Sequence, residues 1–171
     1  MSEILMNLAS ISLTIPKKNN FRIDRTNIIE TIENLFKSQN VKFVFINGEK
    51  GIGKTELLRQ FCIKNSRNSV SLFLNPADSA SFDLSFIRYE LGNQIHWLLS
   101  NEELTDSEID FTYLRRTQIG LRRYLKQEKE SKIYFVIDGL DEMEADRITQ
   151  INEILQDLPL GAQGVFVLLS G

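Results

Sequence analysis

The sequence predicts an α/β fold with a mainly parallel sheet, and three observations lead to that prediction. Four apolar runs read as strands, and the run 42–47 lacks the clean alternation of a half-exposed strand, which is typical of a strand buried on both faces. Stretches with helical hydrophobic spacing separate these runs. The 171 residues are 42% hydrophobic and 25% charged, which suits one globular domain with its own core. Alternating strands and helices favour a layered arrangement with helices against the sheet.

The elements of the first half follow from spacing and residue type. β-branched and aromatic residues mark the strands, and apolar residues three or four apart mark the helices. In chain order we predict a short strand over 11–15, a loop over 16–20, a helix over 25–39, a buried strand over 42–47, a helix over 54–66 and a second strand over 69–75.

The second half repeats the alternation. The two longest helices of this half carry apolar residues on one face. The buried strand that opens the stretch 132–142 ends in acids. We predict helices over 82–100 and 110–128, a strand opening the stretch 132–142, an amphipathic helix over 146–158 and a fourth strand over 164–171.

A glycine-rich stretch lies between the strand 42–47 and the helix that follows it. Residues 48–55 read G-E-K-G-I-G-K-T and match the pattern G-x-x-x-x-G-K-[ST] in full. Glycines let the backbone approach an anion closely, and the helix N-terminus adds partial positive charge. Lys54 would reach the β- and γ-phosphates, and Thr55 would offer an oxygen to Mg²⁺. The other predicted nucleotide-binding residues of the loop are Gly48, Glu49, Lys50, Gly51, Ile52 and Gly53. The alternative is a glycine-rich turn that matches by chance.

Acidic residues follow the third strand. Asp138 ends the apolar run, and Asp141 and Glu142 follow it after Gly139 and Leu140. Mg²⁺ prefers carboxylate and phosphate oxygens, so we assign Asp138 to the metal side. Asp141 or Glu142 would orient or deprotonate the attacking water. Acids after a strand can also simply cap it or face solvent.

These motifs resemble those of P-loop NTPases. The stretch V-I-D-G-L-D-E, residues 136–142, is similar to the extended Walker B motif of STAND signalling ATPases, especially the NACHT group. Residues 21–36 resemble the segment before the loop in such proteins, where Asp24-Arg25 replaces the usual Gly-Arg pair. The resemblance implies a three-layer P-loop NTPase fold and adds Arg25 to the nucleotide-binding residues. It also places Ser170 near a polar sensor position on the fourth strand.

The same resemblance gives the expected domain organisation. Residues 1–20 would be an N-terminal segment or linker, and residues 21–171 the N-terminal part of a NACHT-like domain. A fifth strand, a helical lid, and sensor and effector domains are expected outside this sequence. The order expected in the sheet is 42–47, 165–169, 132–137, 69–75. The strand 42–47 would then form an edge, covered either by residues 11–15 or by a second copy.

The function implied is an ATP-binding switch that uses ATP or ADP with Mg²⁺ and hydrolyses ATP slowly. Such switches serve bacterial antiphage defence, innate-immune-type sensing or transcriptional control, and the full-length protein would self-associate. The fragment itself would be weak or inactive as an ATPase. One alternative is a nucleotide-dependent interaction module without useful turnover. Another is an AAA or origin-recognition type of ATPase acting on DNA.

Net charge, cysteine content and the length of the apolar runs restrict which of these functions fit the sequence. The net charge of −3 does not suggest a nucleic-acid binder. The only cysteine, Cys62, fits a reducing compartment and a core position. No run is long enough for a membrane helix, and the N-terminus does not read as a signal peptide. We therefore expect a cytoplasmic protein without membrane contacts.

Overall fold

The structure is a computed structural model in which four strands form one parallel sheet. It describes residues 8–17, 23–38, 41–75, 77–105, 112–142, 148–149, 152–153, 155–156 and 158–171. The α-helices are α1 (Leu8–Ile11), α2 (Thr26–Lys37), α3 (Lys54–Lys64), α4 (Leu84–Ser100) and α5 (Tyr113–Gln127). The strands are β1 (Phe43–Ile46), β2 (Ser69–Phe73), β3 (Ile133–Asp138) and β4 (Val165–Ser170), and short 3-10 turns cover Ser79–Phe82 and Leu140–Glu142.

The strands lie in the order β1-β4-β3-β2. Phe43 pairs with Val167 at one end of the β1–β4 ladder, and Phe73 pairs with Asp138 in the β2–β3 ladder. This is the order that the resemblance implied, with β4 between β1 and β3. Because all strands are parallel, their carboxyl ends meet at one edge of the sheet.

Two helix layers cover the sheet, one on each face, and alternate side chains of β3 pack against different layers. Ile133, Phe135 and Ile137 pack against α4 and α5, whereas Tyr134 and Val136 pack against α2 and α3. Every residue of β3 is buried, as expected for a strand covered on both faces. The predicted three-layer α/β architecture is therefore present.

Aromatic rings fill the core between the sheet and α2–α3. The ring centroids of Phe36 and Phe166 lie 5.1 Å apart, and those of Phe61 and Tyr134 lie 5.2 Å apart, edge to face. Such pairs stabilise a core beyond their buried area. Cys62 is fully buried in the same cluster, and burial raises the pKa of its thiol. This confirms the core position expected for Cys62.

The predicted strand over 11–15 is wrong. Residues 8–11 form a helical turn, and Leu8 and Ile11 pack against Trp97 of α4. The backbone N–H groups of Leu13 and Thr14 then donate to the Glu90 carboxylate, at 2.9 and 3.3 Å, instead of to a strand. A side chain far away in the sequence therefore determines the conformation of this segment.

Residues 11–15 also do not cover β1. The Thr14 hydroxyl accepts the N–H of Phe73 at 3.1 Å, which places the segment beside β2, at the opposite side of the sheet. On β1, Phe43 and Phe45 remain 55% and 59% exposed. Among the described residues, no strand pairs with the outer side of β1.

The predicted helix over 146–158 lies largely outside the described residues. In the part of the chain that is described, no helix is both long and apolar enough to span a membrane.

Candidate functional site

The loop 48–55 connects β1 to α3 through two glycines in the left-handed region. Gly51 has a φ of 88° and Gly53, the residue before α3, has a φ of 95°. L-residues with side chains rarely adopt such angles. The loop therefore needs glycine at these two positions, and the helix begins directly after it at Lys54.

Two side chains, Lys54 and Arg25, donate hydrogen bonds to backbone carbonyl oxygens of the loop. Lys54 Nζ donates to the carbonyl oxygen of Gly48 at 2.6 Å, across the loop. Arg25 Nη2 donates to the carbonyl oxygen of Ile52 at 2.9 Å. A Cβ on Gly53 would come within 3.0 Å of the same Arg25 nitrogen. Arg25 thus packs against the back of the loop.

The segment that carries Arg25 is itself tied to α3. Gln60 Nε2 donates to the carbonyl oxygen of Ile23, and Gln60 Oε1 accepts the N–H of Arg25. Gln60 also donates to Glu56, whose carboxylate binds Arg59 at 2.7 and 2.9 Å. Because Glu56 lies in the first turn of α3, this network fixes the start of the helix.

Asp138 is the last residue of β3 and is only 5% exposed. The hydroxyl of Ser170, at the end of β4, donates to Asp138 Oδ1. The next residue, Gly139, has a φ of 84°, and a Cβ there would lie 2.4 Å from the carbonyl oxygen of Leu74. Glycine directly after Asp138 is therefore required by both the backbone angle and the contact.

These parts open onto one cleft of about 790 Å³ at the carboxyl edge of the sheet. Loop residues, two of the predicted acids and a segment from the N-terminus form its walls. The cleft is lined by Gly48, Lys50, Gly51, Gly53, Lys54, Thr55, Glu56, Asp138, Gly139, Asp141, Leu74, Pro16 and Lys17.

The structure thus brings together most of the predicted site. Glu49 and Ile52 are exposed loop residues that do not line the cleft, and Arg25 contacts the loop without lining it. Asp141 is exposed at the cleft wall. The side chain of Glu142 lies outside what the structure describes.

Sequence reasoning missed Pro16, Lys17 and Glu56. No sequence signal marks Pro16 or Lys17, because the residues just before them are held in place by Glu90, 76 to 78 positions away. Glu56 could have been noticed as an acid in the first turn of α3, three residues before Arg59.

Glu90 of α4 is a buried carboxylate behind this wall. Its Oε1 accepts hydrogen bonds from Ser12, Leu13, Thr14 and Gln94, and Oε2 has no partner among the described residues. Burial raises the pKa of Glu90, and the hydrogen bonds from Ser12 and Thr14 partly oppose that rise.

Chemically, the cleft offers three lysines and three carboxylates around a loop of peptide N–H groups. Among the described residues, no three His, Cys, Asp or Glu side chains lie close enough together to hold a metal by themselves.

The fold and the site define an α/β protein with a four-stranded parallel sheet and a polar cleft at its carboxyl edge. The particular family follows from a sequence comparison: the chain belongs to the family described as Nephrocystin 3, N-terminal, whose model matches residues 28–170. No match to a curated protein was found. The matched range includes the loop 48–55 and Asp138, and it begins after Lys17 and Arg25.

Proposed function

We propose that this chain is an ATP-binding P-loop NTPase domain of the STAND type, similar to NACHT domains. The observation that carries the proposal is the complete G-x-x-x-x-G-K-T loop between β1 and α3, which opens on the same cleft as Asp138. In the full-length protein, nucleotide binding and slow hydrolysis would drive a cytoplasmic signalling switch. Antiphage defence or innate-immune-type sensing is the expected setting.

The strand order supports this class of P-loop protein. β4 lies between β1, which leads into the loop, and β3, which carries Asp138. In the kinase–GTPase branch, by the resemblance, those two strands would be direct neighbours. The order therefore favours the ATPase branch over that alternative.

The donor set fits Mg²⁺. Thr55 and Asp138 line one cleft and supply one hydroxyl and one carboxylate. Mg²⁺ usually takes one or two protein oxygens and completes its shell with phosphate oxygens and water. When bound, it would neutralise charge on the phosphates. Ser170 holds the Asp138 carboxylate from β4.

Hydrolysis would proceed by attack of water on the γ-phosphorus of ATP. The bond between that phosphorus and the bridging oxygen of ADP breaks, and the proton of the water passes to a carboxylate, Glu142 or Asp141. The products are ADP and inorganic phosphate. Lys54 would balance negative charge on the β- and γ-phosphates throughout.

Calorimetric titration with ATP and Mg²⁺ tests the proposal. We expect Lys54→Ala to lower affinity by at least about tenfold, because a charge-assisted contact is lost. Lys126→Ala, which removes a lysine from the exposed face of α5, is the matched control and should bind like the unchanged chain. Circular dichroism checks the fold. Equal affinity for Lys54→Ala and the control, with unchanged spectra, would refute the assignment.

A second candidate is a nucleotide-dependent interaction module without turnover. The exposure of Phe43 and Phe45 on β1 favours it, because apolar residues on an unpaired strand edge promote association. Phosphate release by the full-length protein under saturating ATP separates the two. Release that is lost in Glu142→Gln supports the switch, and nucleotide binding without release supports the module.

A further inference from the structure

The segment that precedes α2 forms one wall of the cleft, and Glu90 fixes it there. Glu90 is fully buried in α4. Its Oε1 atom accepts the Ser12 hydroxyl at 2.6 Å, the Leu13 N–H at 2.9 Å and the Thr14 N–H at 3.3 Å. One carboxylate oxygen therefore accepts hydrogen bonds from three successive residues of the N-terminal segment.

A second set of contacts fixes the direction of this segment. The Thr14 hydroxyl accepts the N–H of Phe73, and the Ser71 and Ser12 hydroxyls lie 3.3 Å apart, so the segment lies along the outer side of β2. Phe73 is the last residue of β2, which places Thr14 at the carboxyl edge of the sheet. Pro16 follows with its φ fixed by the ring. Lys17 therefore leaves the sheet edge from a well-defined position.

The sheet order then determines which part of a nucleotide Lys17 would meet. The loop follows β1, Asp138 ends β3, and β2 lies beyond β3. In P-loop proteins the terminal phosphate is the part of the nucleotide nearest the metal-side acid and the attacking water. A residue held at the end of β2 lies on the far side of Asp138 from β1. Lys17 therefore reaches the cleft on the side of the terminal phosphate.

The charges in the cleft agree with such a role. Asp138 and Asp141 line the same cleft as Lys17, so the cleft holds both acids and a cation for a bound metal and phosphate. ATP brings one phosphate more than ADP to this point. A cation there interacts strongly with the γ-phosphate and weakly with a diphosphate that ends before it.

We propose that Lys17 contacts the γ-phosphate and makes this site prefer a nucleoside triphosphate to the diphosphate. Glu90 and Thr14 are positioning residues that hold the segment from which Lys17 extends. This inference rests on the proposed nucleotide binding and adds a residue outside the glycine-rich loop and outside the range matched by the family.

Calorimetric titration of the chain with Mg²⁺ and either ADP or the non-hydrolysable triphosphate AMP-PNP tests it. We expect Lys17→Ala to weaken AMP-PNP binding about tenfold, equal to about 1.4 kcal/mol, and ADP binding by less than about twofold. Lys17→Arg should restore the preference, because it keeps the charge. Lys126→Ala is the control for the loss of one surface charge.

The outcomes separate this inference from the proposed function. If the unchanged chain binds neither nucleotide, the proposed function fails and the role of Lys17 fails with it. If Lys54→Ala loses both nucleotides but Lys17→Ala behaves like Lys126→Ala, only the role of Lys17 is refuted. Equal losses of ADP and AMP-PNP in Lys17→Ala would also refute it.

A double-mutant cycle tests the positioning role. Thr14→Val keeps the shape of the side chain and removes its hydrogen bonds to Glu90 and Phe73. We expect it to lower the AMP-PNP to ADP preference, and to lower it no further when Lys17→Ala is already present. A merely structural role would change unfolding without changing that preference. Additive effects would show that Thr14 does not act through Lys17.

Discussion

At the end of β3, a hydroxyl holds the carboxylate of Asp138 in place. Ser170 donates to Oδ1, and both residues are buried, so the carboxylate has one preferred orientation toward the cleft. Asp141 lies exposed at the wall of the same cleft. A buried, oriented acid suits a metal-side role, whereas an acid near solvent suits contact with water.

The two proposed roles, one acid on the metal side and one that orients water, predict different effects of amide substitutions. We expect Asp138→Asn to weaken Mg²⁺-dependent ATP binding, because a metal-side carboxylate acts already in the bound state. Glu142→Gln should slow hydrolysis more than it weakens binding, because a water-orienting carboxylate matters as charge develops. Calorimetry and phosphate release measure the two effects in the full-length protein. Loss of turnover in Asp141→Asn but not in Glu142→Gln would show that Asp141, and not Glu142, orients the attacking water.

Gly139 gives a prediction about stability. Its φ of 84° and the 2.4 Å approach of a Cβ to the Leu74 carbonyl oxygen both oppose any side chain. We expect Gly139→Ala to lower the free energy of unfolding by at least about 1–2 kcal/mol. Gly161→Ala is the matched control, since a Cβ there meets nothing within 4 Å. Denaturant titration of both variants measures the difference, and equal midpoints would contradict the argument.

The two outer strands, β1 and β2, differ in whether side chains hydrogen-bond to the backbone groups on their outer sides. The Gln94 side chain accepts the N–H of Ser71 at 2.8 Å and donates to the carbonyl oxygen of the same residue at 2.8 Å. Its amide thus occupies the place of a neighbouring strand beside β2. Thr14 does the same for the N–H of Phe73. In the described residues β1 has no equivalent on its outer side.

Hydrogen exchange should reveal the role of Gln94. We expect the Ser71 amide to exchange slowly in the unchanged chain, although β2 is an outer strand. Gln94→Leu should speed that exchange, because it removes the acceptor and leaves a buried N–H unsatisfied. The Val136 amide, in the interior strand β3, serves as the internal reference. Unchanged protection of Ser71 in Gln94→Leu would show that the side chain does not protect this strand.

The elements also show what sequence can predict and where it stops. Apolar runs located all four strands, and the 48–55 motif located the loop, because both signals are local. The role of residues 11–15 was not predictable, because Ser12 and Glu90 are 78 positions apart and their bond depends on how α4 packs. The place of Lys17 in the cleft follows from that bond. The alternating residues 11–15 looked like a strand, but the Glu90 carboxylate overrides that local preference.

For the whole molecule, the exposed side of β1 predicts self-association. The option that residues 11–15 cover it is wrong, so pairing with a second copy stays a prediction. We expect a concentration-dependent dimer in sedimentation experiments, weakened by Phe43→Lys, because a charge at a strand edge opposes pairing. Ile63→Lys, at an exposed position of α3, is the control. A monomer at all concentrations would contradict this prediction.

The amide of Gln94 also gives the sheet a direction of growth. A strand arriving beside β2 would have to displace this buried side chain from both of its hydrogen bonds to Ser71, which is costly. Among the described residues, no side chain occupies the outer backbone of β1 in this way. We therefore expect a further strand to join this sheet beside β1 and not beside β2, so that the sheet extends in one direction only.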